Sequence, residues 1–293
     1  MSNSTAIVPP AHLIEKSKMV TRYLEEILPP VDKYPQVLHE AIRYTVMAGG
    51  KRLRPVLALT AYEVCGGTGD EIMPAAAALE LIHTYSLIHD DLPCMDDDDL
   101  RRGMPTLHKK YNEAIALLAG DALHDLAFRL MAQTGRTEAV MELALAIGTG
   151  GMLAGQMADM DAEGRQLSLD EVTYIHVHKT GKLIRGALRI GAILANADAE
   201  TLEAITIYGE KIGLAFQIID DILDITGDEV TLGKPVGSDS KNNKATYPAV
   251  IGLEKSQEIA GILIDEAVTT IEARINRPQS FIEIARFIGS RRH

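Results

Sequence analysis

Cysteine is scarce in this 293-residue chain: Cys65 and Cys94 are the whole complement. A disulfide framework is therefore not expected, and a reducing compartment is the simpler setting. The first residues lack the charged lead and apolar run of a secretory signal, and no apolar stretch approaches the roughly 20 residues that span a bilayer. A soluble, cytoplasmic protein with no membrane span is expected. No Ser/Gly-rich linker, repeat or low-complexity block divides the sequence, so residues 1–293 read as a single domain. Residues 1–10, ending Pro9-Pro10, read as a loose terminus. A broad basic surface is missing too. The net charge of −12, from 29 basic and 41 acidic residues, argues against a nucleic-acid partner.

What the chain does have is concentrated acid. Asp90-Asp91-Leu92-Pro93-Cys94-Met95-Asp96-Asp97-Asp98-Asp99-Leu100-Arg101-Arg102 places six carboxylates in ten residues and closes on two arginines. A second cluster, Asp220-Asp221-Ile222-Leu223-Asp224, follows far downstream. Either cluster alone reads as a solvated acidic loop. Together they read as a cage for hard cations, because carboxylate oxygens suit Mg²⁺, and Mg²⁺ keeps positions open for water or substrate phosphates. The neighbouring arginines point to a phosphorylated ligand bridged by metal. The overall negative charge is resolved locally, since Lys51, Arg52 and Arg54, then Arg101 and Arg102, then Lys179, Lys182 and Arg185 form basic islands. Bound Mg²⁺ would also invert the sign of the Asp clusters.

Apolar residues recur at three- and four-residue intervals through residues 74–88, 114–131, 139–157 and 202–225, with few alternating β-branched runs. The chain is therefore expected to be all-α. Gly66-Gly67-Thr68-Gly69-Asp70 is a break with Asp70 as a plausible N-cap, and the following helix should stop before Pro93. His83 and Asp90 lie two turns apart on that helix and would share a cavity wall. In the second cluster Gln217, Asp220 or Asp221, and Asp224 fall on one face of an otherwise apolar helix. Gln156 and Asp159 repeat the spacing and read as supporting residues.

Gly49-Gly50-Lys51-Arg52-Leu53-Arg54-Pro55 reads as an anion clamp, with two glycines that permit close backbone approach and three cations in four residues. The GxxxxGK[ST] spacing of a nucleotide loop is absent, and no GxGxxG follows a strand. Lys179-Thr180-Gly181-Lys182 combines a cation, a hydroxyl and a helix-loosening glycine, which would aim a backbone carbonyl at a cavity. The segment from Gly233-Lys234-Pro235 to Lys244-Ala245-Thr246 reads as a basic, glycine-containing flap of the kind that closes over phosphates.

The ordered set GGKRLRP, DDLPCMDDDDLRRG, GQMADM, KTGKL, FQIIDDILD and GKPVGSDSKNNKATYP, across residues 49–248, closely resembles the trans-isoprenyl diphosphate synthases, and within them the bacterial farnesyl diphosphate synthases. The resemblance implies an isoprenoid synthase-type all-α bundle around a deep central cavity, usually as a homodimer. It implies that Asp90, Asp91, Asp96 and Asp220, supported by Asp221 and Asp224, hold three Mg²⁺ ions, for which Mn²⁺ can substitute. Arg101, Lys179 and Lys234 would bind the allylic diphosphate, dimethylallyl or geranyl diphosphate, beneath the flap that carries Lys244. Gly50, Lys51, Arg54, His83 and Arg102 would hold isopentenyl diphosphate without metal. Thr180, Gln217 and the carbonyl of Lys179 would face the allylic carbon as positive charge develops on it, and these three are the expected catalytic residues. Tyr85 and Ser86, about a turn before the first aspartate, would floor the pocket for the growing chain. A bulky Tyr85 resembles enzymes that stop at fifteen carbons.

Rival readings are a geranylgeranyl diphosphate synthase, a terpene cyclase and a non-catalytic subunit. The four residues between Asp91 and Asp96 do not separate the first from a farnesyl enzyme. The cyclase needs no second diphosphate site, and only 4% aromatic residues with no Trp would line its cavity poorly. Two intact Asp clusters disfavour the non-catalytic subunit.

Overall fold

Long stretches of Ala, Leu and Ile, interrupted by Gly and Pro rather than by turn-and-strand patterns, give helices nearly throughout the computed structural model, which describes residues 9–226 and 246–290. In chain order these are α1 (Ala11–Ile27), α2 (Gln36–Val46), α3 (Leu53–Val64), α4 (Met73–Asp90), α5 (Leu107–Lys110), α6 (Glu113–Gln133), α7 (Thr137–Ile147), α8 (Met152–Asp161) and α9 (Leu169–Ile175). A π-helical turn, His176–Gly181, leads into α10 (Lys182–Leu194), and α11 (Ala199–Thr226), α12 (Tyr247–Ile251), α13 (Leu253–Arg274) and α14 (Gln279–Ser290) follow. The all-α expectation holds. Among the described residues the exception is a two-residue hairpin, β1 (Leu100–Arg101) antiparallel to β2 (Met104–Pro105). Its turn residues Arg102 and Gly103 both have positive φ, the conformation that tight hairpins favour.

The bundle is built by helices that are apolar on most sides. α4 packs along α6, α3 along α10, and α11 along α13. From Met73 to Ile82 in α4, every residue except Pro74 is buried. Each large aliphatic side chain removed from water in this way contributes about 1.5–3 kcal/mol. The Tyr208 hydroxyl, wholly buried, donates to the Phe281 carbonyl at 2.7 Å and fastens α14 to α11.

Two local expectations fail. α4 begins at Met73 rather than at an Asp70 cap, because residues 70–73 form a turn in which Met73 N–H donates to the Asp70 carbonyl, leaving Ile72 as the N-cap without a side-chain bond. The periodic run 139–157 is two helices, not one. At Gly151 a side chain would press into the Ala146 carbonyl, so Gly148-Thr149-Gly150-Gly151 permits a sharp turn that other residues would resist. Contrary to expectation, Thr137–Asp161 is long and apolar enough by composition to cross a membrane, but the same turn divides it. The flap residues Lys234 and Lys244 and the tail Arg291-Arg292-His293 lie outside the described residues.

Candidate active site

α4 supplies one wall. Its last turn delivers Asp90 and Asp91, and the four residues after them fold back tightly: Met95 N–H donates to the Leu92 carbonyl, and Asp96 N–H to the Asp90 carbonyl at 2.8 Å. The spacer therefore returns Asp96 to the side of Asp90. Asp91 turns inward, 4% exposed, and accepts from Arg101 Nε at 2.6 Å. Burial pushes the Asp91 carboxyl up to about 7, against the opposing pull of Arg101. Arg101 also bonds Asp98 at 3.0 Å. In this arrangement Arg101 braces the acidic loop, and its guanidinium is shared between two carboxylates.

A cluster of arginines stands beside that wall. The hairpin turn throws Arg102 across to the α2–α3 loop, where its guanidinium donates to the Gly49 carbonyl. A side chain at Gly50 would meet the movable tip of Arg102 at 2.8 Å, and it is the φ of 129° at Gly50 that favours glycine there. Arg54, on the first turn of α3, lines the cavity and has a buried Nε with no protein partner. Burial lowers its ionisation to about 10, although Glu80 and Asp220 support the charge. His83 is held well below its usual value, first by burial and then by Arg54, Arg102, Arg101 and Arg52. It is a neutral imidazole among cations. An orphaned Arg54 guanidinium nitrogen in a cluster with three other arginines is suited to a polyanionic ligand.

The opposite wall is the π-helical turn against α11. A π-helical turn carries an extra residue per loop and often marks a functional site. Two glycines allow it to sit where it does. Gly155 of α8 lies against the His178–Lys179 peptide, and Gly213 of α11 lies against Gly181. Lys179 Nζ pairs with Asp159 at 2.6 Å, and the Thr180 hydroxyl donates to Gln217 Oε1 at 2.9 Å. The supporting role expected of Asp159 is thus a direct ion pair. Gln156, also in the cavity lining, has a buried Nε2 without a protein partner.

Neighbouring aspartates of α11 divide. Asp221 is 3% exposed and turned away, bonded to His176 Nε2 at 2.7 Å and to the Tyr247 N–H at 3.0 Å, with Gln217 Nε2 at 3.5 Å on its other oxygen. It ties the π-helical turn and α12 to α11. Asp224 is buried, and Asp220 is half-buried and close enough to Arg54 to support its charge. Among the described residues no three acidic, His or Cys side chains form a ready-made metal cage. Asp90 lines the cavity, and Asp220 of α11 reaches Arg54 of the same cavity electrostatically; hard oxygen donors of this kind fit Mg²⁺ completed by ligand phosphates and water.

Between these walls lies a cavity of about 350 Å³, lined by Arg54, His83, Tyr85, Ser86, Asp90, Gln156, Lys179 and Thr180 among others. His83 and Asp90 do share its wall. Tyr85, 7% exposed, is bracketed by the rings of His89 and His124, edge-on at 5.3 and 5.2 Å, with Phe128 4.9 Å behind His124. Of the expected residues, Lys51 is exposed at the loop, and Lys234 and Lys244 are not described. Sequence reasoning missed Glu80, the one charge in the apolar run of α4 ahead of His83, and the positioning role of Gly155. The single charge was the available signal for Glu80.

The polyprenyl synthetase family model matches residues 35–284. The farnesyl diphosphate synthase of Geobacillus stearothermophilus is 47% identical over 256 residues, covering 85% of this chain and 84% of its own. The chloroplastic geranylgeranyl pyrophosphate synthase of Capsicum annuum is 45% identical over 289 residues, covering 96% and 78%. Among solved structures, an FPP/GFPP synthase from Zymomonas mobilis superposes with a TM-score of 0.83 at 35% identity, covering 94% of this chain and 97% of that one. The helical bundle together with these matches places the chain in the polyprenyl synthetase family. It is a trans-prenyl diphosphate synthase, a transferase of isoprenoid biosynthesis that uses isopentenyl and allylic diphosphates.

Proposed function

We infer that this synthase condenses isopentenyl diphosphate with dimethylallyl and then geranyl diphosphate, and stops at farnesyl diphosphate. The observation that supports the fifteen-carbon limit is Tyr85, whose ring lines the cavity and is held on two sides by His89 and His124. Similar relatives include geranylgeranyl synthases, so a twenty-carbon product is the second reading.

Ionisation of an allylic C–O bond separates a carbocation from a diphosphate leaving group. Asp90, Asp91, Asp96 and Asp220 would hold Mg²⁺, three ions with Mn²⁺ able to replace them, and Asp221 and Asp224 would support those carboxylates. Bound metal supplies positive charge against the leaving diphosphate. Arg101 and Lys179 add fixed cations there, each released from its carboxylate partner as the phosphate takes its place. The Thr180 hydroxyl, Gln217 Oε1 and the Lys179 carbonyl offer oxygen dipoles to the allylic carbon. Lys51, Arg54, His83 and Arg102 hold the second diphosphate, so that the isopentenyl double bond meets the cation. The new C–C bond forms from that double bond, and a proton lost to the departing pyrophosphate restores the alkene. No protein nucleophile is used, and exclusion of water protects the cation.

A homodimer is part of the same reading. Leu117, Leu118, Met141, Leu145, Leu153 and Met157 leave α6, α7 and α8 with an exposed apolar face. Leu117 and Leu153 line the cavity as well, so a second copy seated there would help seal it. Incubation with Mg²⁺, labelled isopentenyl diphosphate and dimethylallyl diphosphate, followed by sizing of the products, tests the proposal. Fifteen-carbon product is expected; twenty-carbon product supports the second reading, and no elongation defeats both.

A further inference from the structure

The α2–α3 loop has an unusual backbone. Gly49, Gly50 and Arg52 all have positive φ, and for Arg52, at φ 50°, that conformation is strained. Something must hold it. Arg52 is 2% exposed, and its guanidinium reaches inward to Glu80 of α4, with Nη1 2.6 Å from Oε1, while Nη2 donates to the Val46 carbonyl at 2.7 Å. The same residue starts α3, because its carbonyl accepts from Val56 N–H. A single side chain thus joins the end of α2, the start of α3 and the middle of α4.

Glu80 is 1% exposed and one turn before His83. Its charge also supports both Arg54 and Arg102, for which it is the first electrostatic partner after the cost of burial. A buried carboxylate is costly unless paired, and here it is surrounded by three arginines of the clamp. The geometry points to Glu80 as a positioning residue for the isopentenyl diphosphate site. Through Arg52 it fixes the strained loop, so that Arg54, two residues on, is set beside His83 before any ligand arrives. It touches no substrate. This inference rests on the assignment of the clamp to isopentenyl diphosphate.

Two variants test it. Glu80→Gln keeps shape and removes charge. The double variant Arg52→Met with Glu80→Met replaces the buried pair by apolar side chains, an exchange that buried ion pairs often tolerate without loss of folding. In both, KM for isopentenyl diphosphate should rise about tenfold or more, while KM for dimethylallyl diphosphate and kcat at saturation stay within about twofold. Calorimetric titration of the metal-free protein with inorganic pyrophosphate should show the same weakening. A folded variant with wild-type isopentenyl diphosphate KM overturns the proposal. So does a uniform fall in all kinetic constants that tracks the fall in Tm, because that marks Glu80 as a packing residue. Failure of the wild type to elongate would strike the functional reading instead, and the pyrophosphate titration would still report the clamp.

Discussion

Gly155→Ala should cripple chemistry from outside the cavity. A methyl at residue 155 would stand 2.6 Å from the His178 carbonyl carbon and from Lys179 Cα, and closer still to the Lys179 nitrogen, where ordinary contact begins at 3.4 Å. These are backbone atoms, so no flexible side chain can yield. The π-helical turn must retreat by about 1 Å, carrying Thr180 and the Lys179 carbonyl and ammonium with it. A displacement of that size in positioned groups costs on the order of 100-fold in rate, equivalent to about 2.7 kcal/mol of barrier. Overpacking should also lower stability by about 1–3 kcal/mol. Steady-state kinetics at saturating substrates, with Tm recorded in parallel, reads both effects. KM for isopentenyl diphosphate should change little, because Arg54 and His83 stand on other helices. A folded Gly155→Ala enzyme with near wild-type kcat would refute the argument that this contact sets the oxygen dipoles.

Excess chelator should abolish turnover and either Mg²⁺ or Mn²⁺ restore it, since the donor set is hard oxygen; full turnover in chelator would contradict the metal assignment. Arg54→Ala and His83→Ala should chiefly raise KM for isopentenyl diphosphate, and an effect confined to the allylic KM would mean the two diphosphate sites are exchanged. His83 should stay neutral in the folded protein, because burial and the arginines hold it well below 6.5. As pH falls below 6.5 the unfolded chain takes the proton first, so the stability present above that value is lost toward the folded value. Imidazole NMR should place the His83 midpoint below that of an exposed histidine, and a midpoint near 6.5 would oppose this electrostatic picture.

Chemistry was easier to read from the sequence than geometry. The acid clusters, the Gly-Gly-Lys-Arg clamp and the two-turn spacing of His83 and Asp90 each depend on residue type and helical period, and the structure places His83 and Asp90 on one cavity wall. Period alone could not tell Asp220 from Asp221. They lie about 100° apart on a helix, and the His176 and Tyr247 contacts that hold Asp221 leave Asp220 as the one that supports the Arg54 charge. The π-helical turn was hidden for a similar reason, because an inserted residue shifts the period without a composition signal. The 148–151 turn was overlooked because Ala, Leu and Met continue the apolar pattern on both sides of it.

On the proposed reading, room rather than reactivity ends elongation at Tyr85. Removal of its ring opens the cavity toward His124 and Phe128 while leaving Asp90 and Asp220 untouched. The direct measurement is turnover of farnesyl diphosphate as the allylic substrate, with labelled isopentenyl diphosphate, by wild type and Tyr85→Ala. Wild type should use it poorly and Tyr85→Ala should convert it to twenty-carbon or longer product. A folded, active Tyr85→Ala enzyme that still stops at fifteen carbons, or a wild type that already elongates farnesyl diphosphate freely, would contradict the claim.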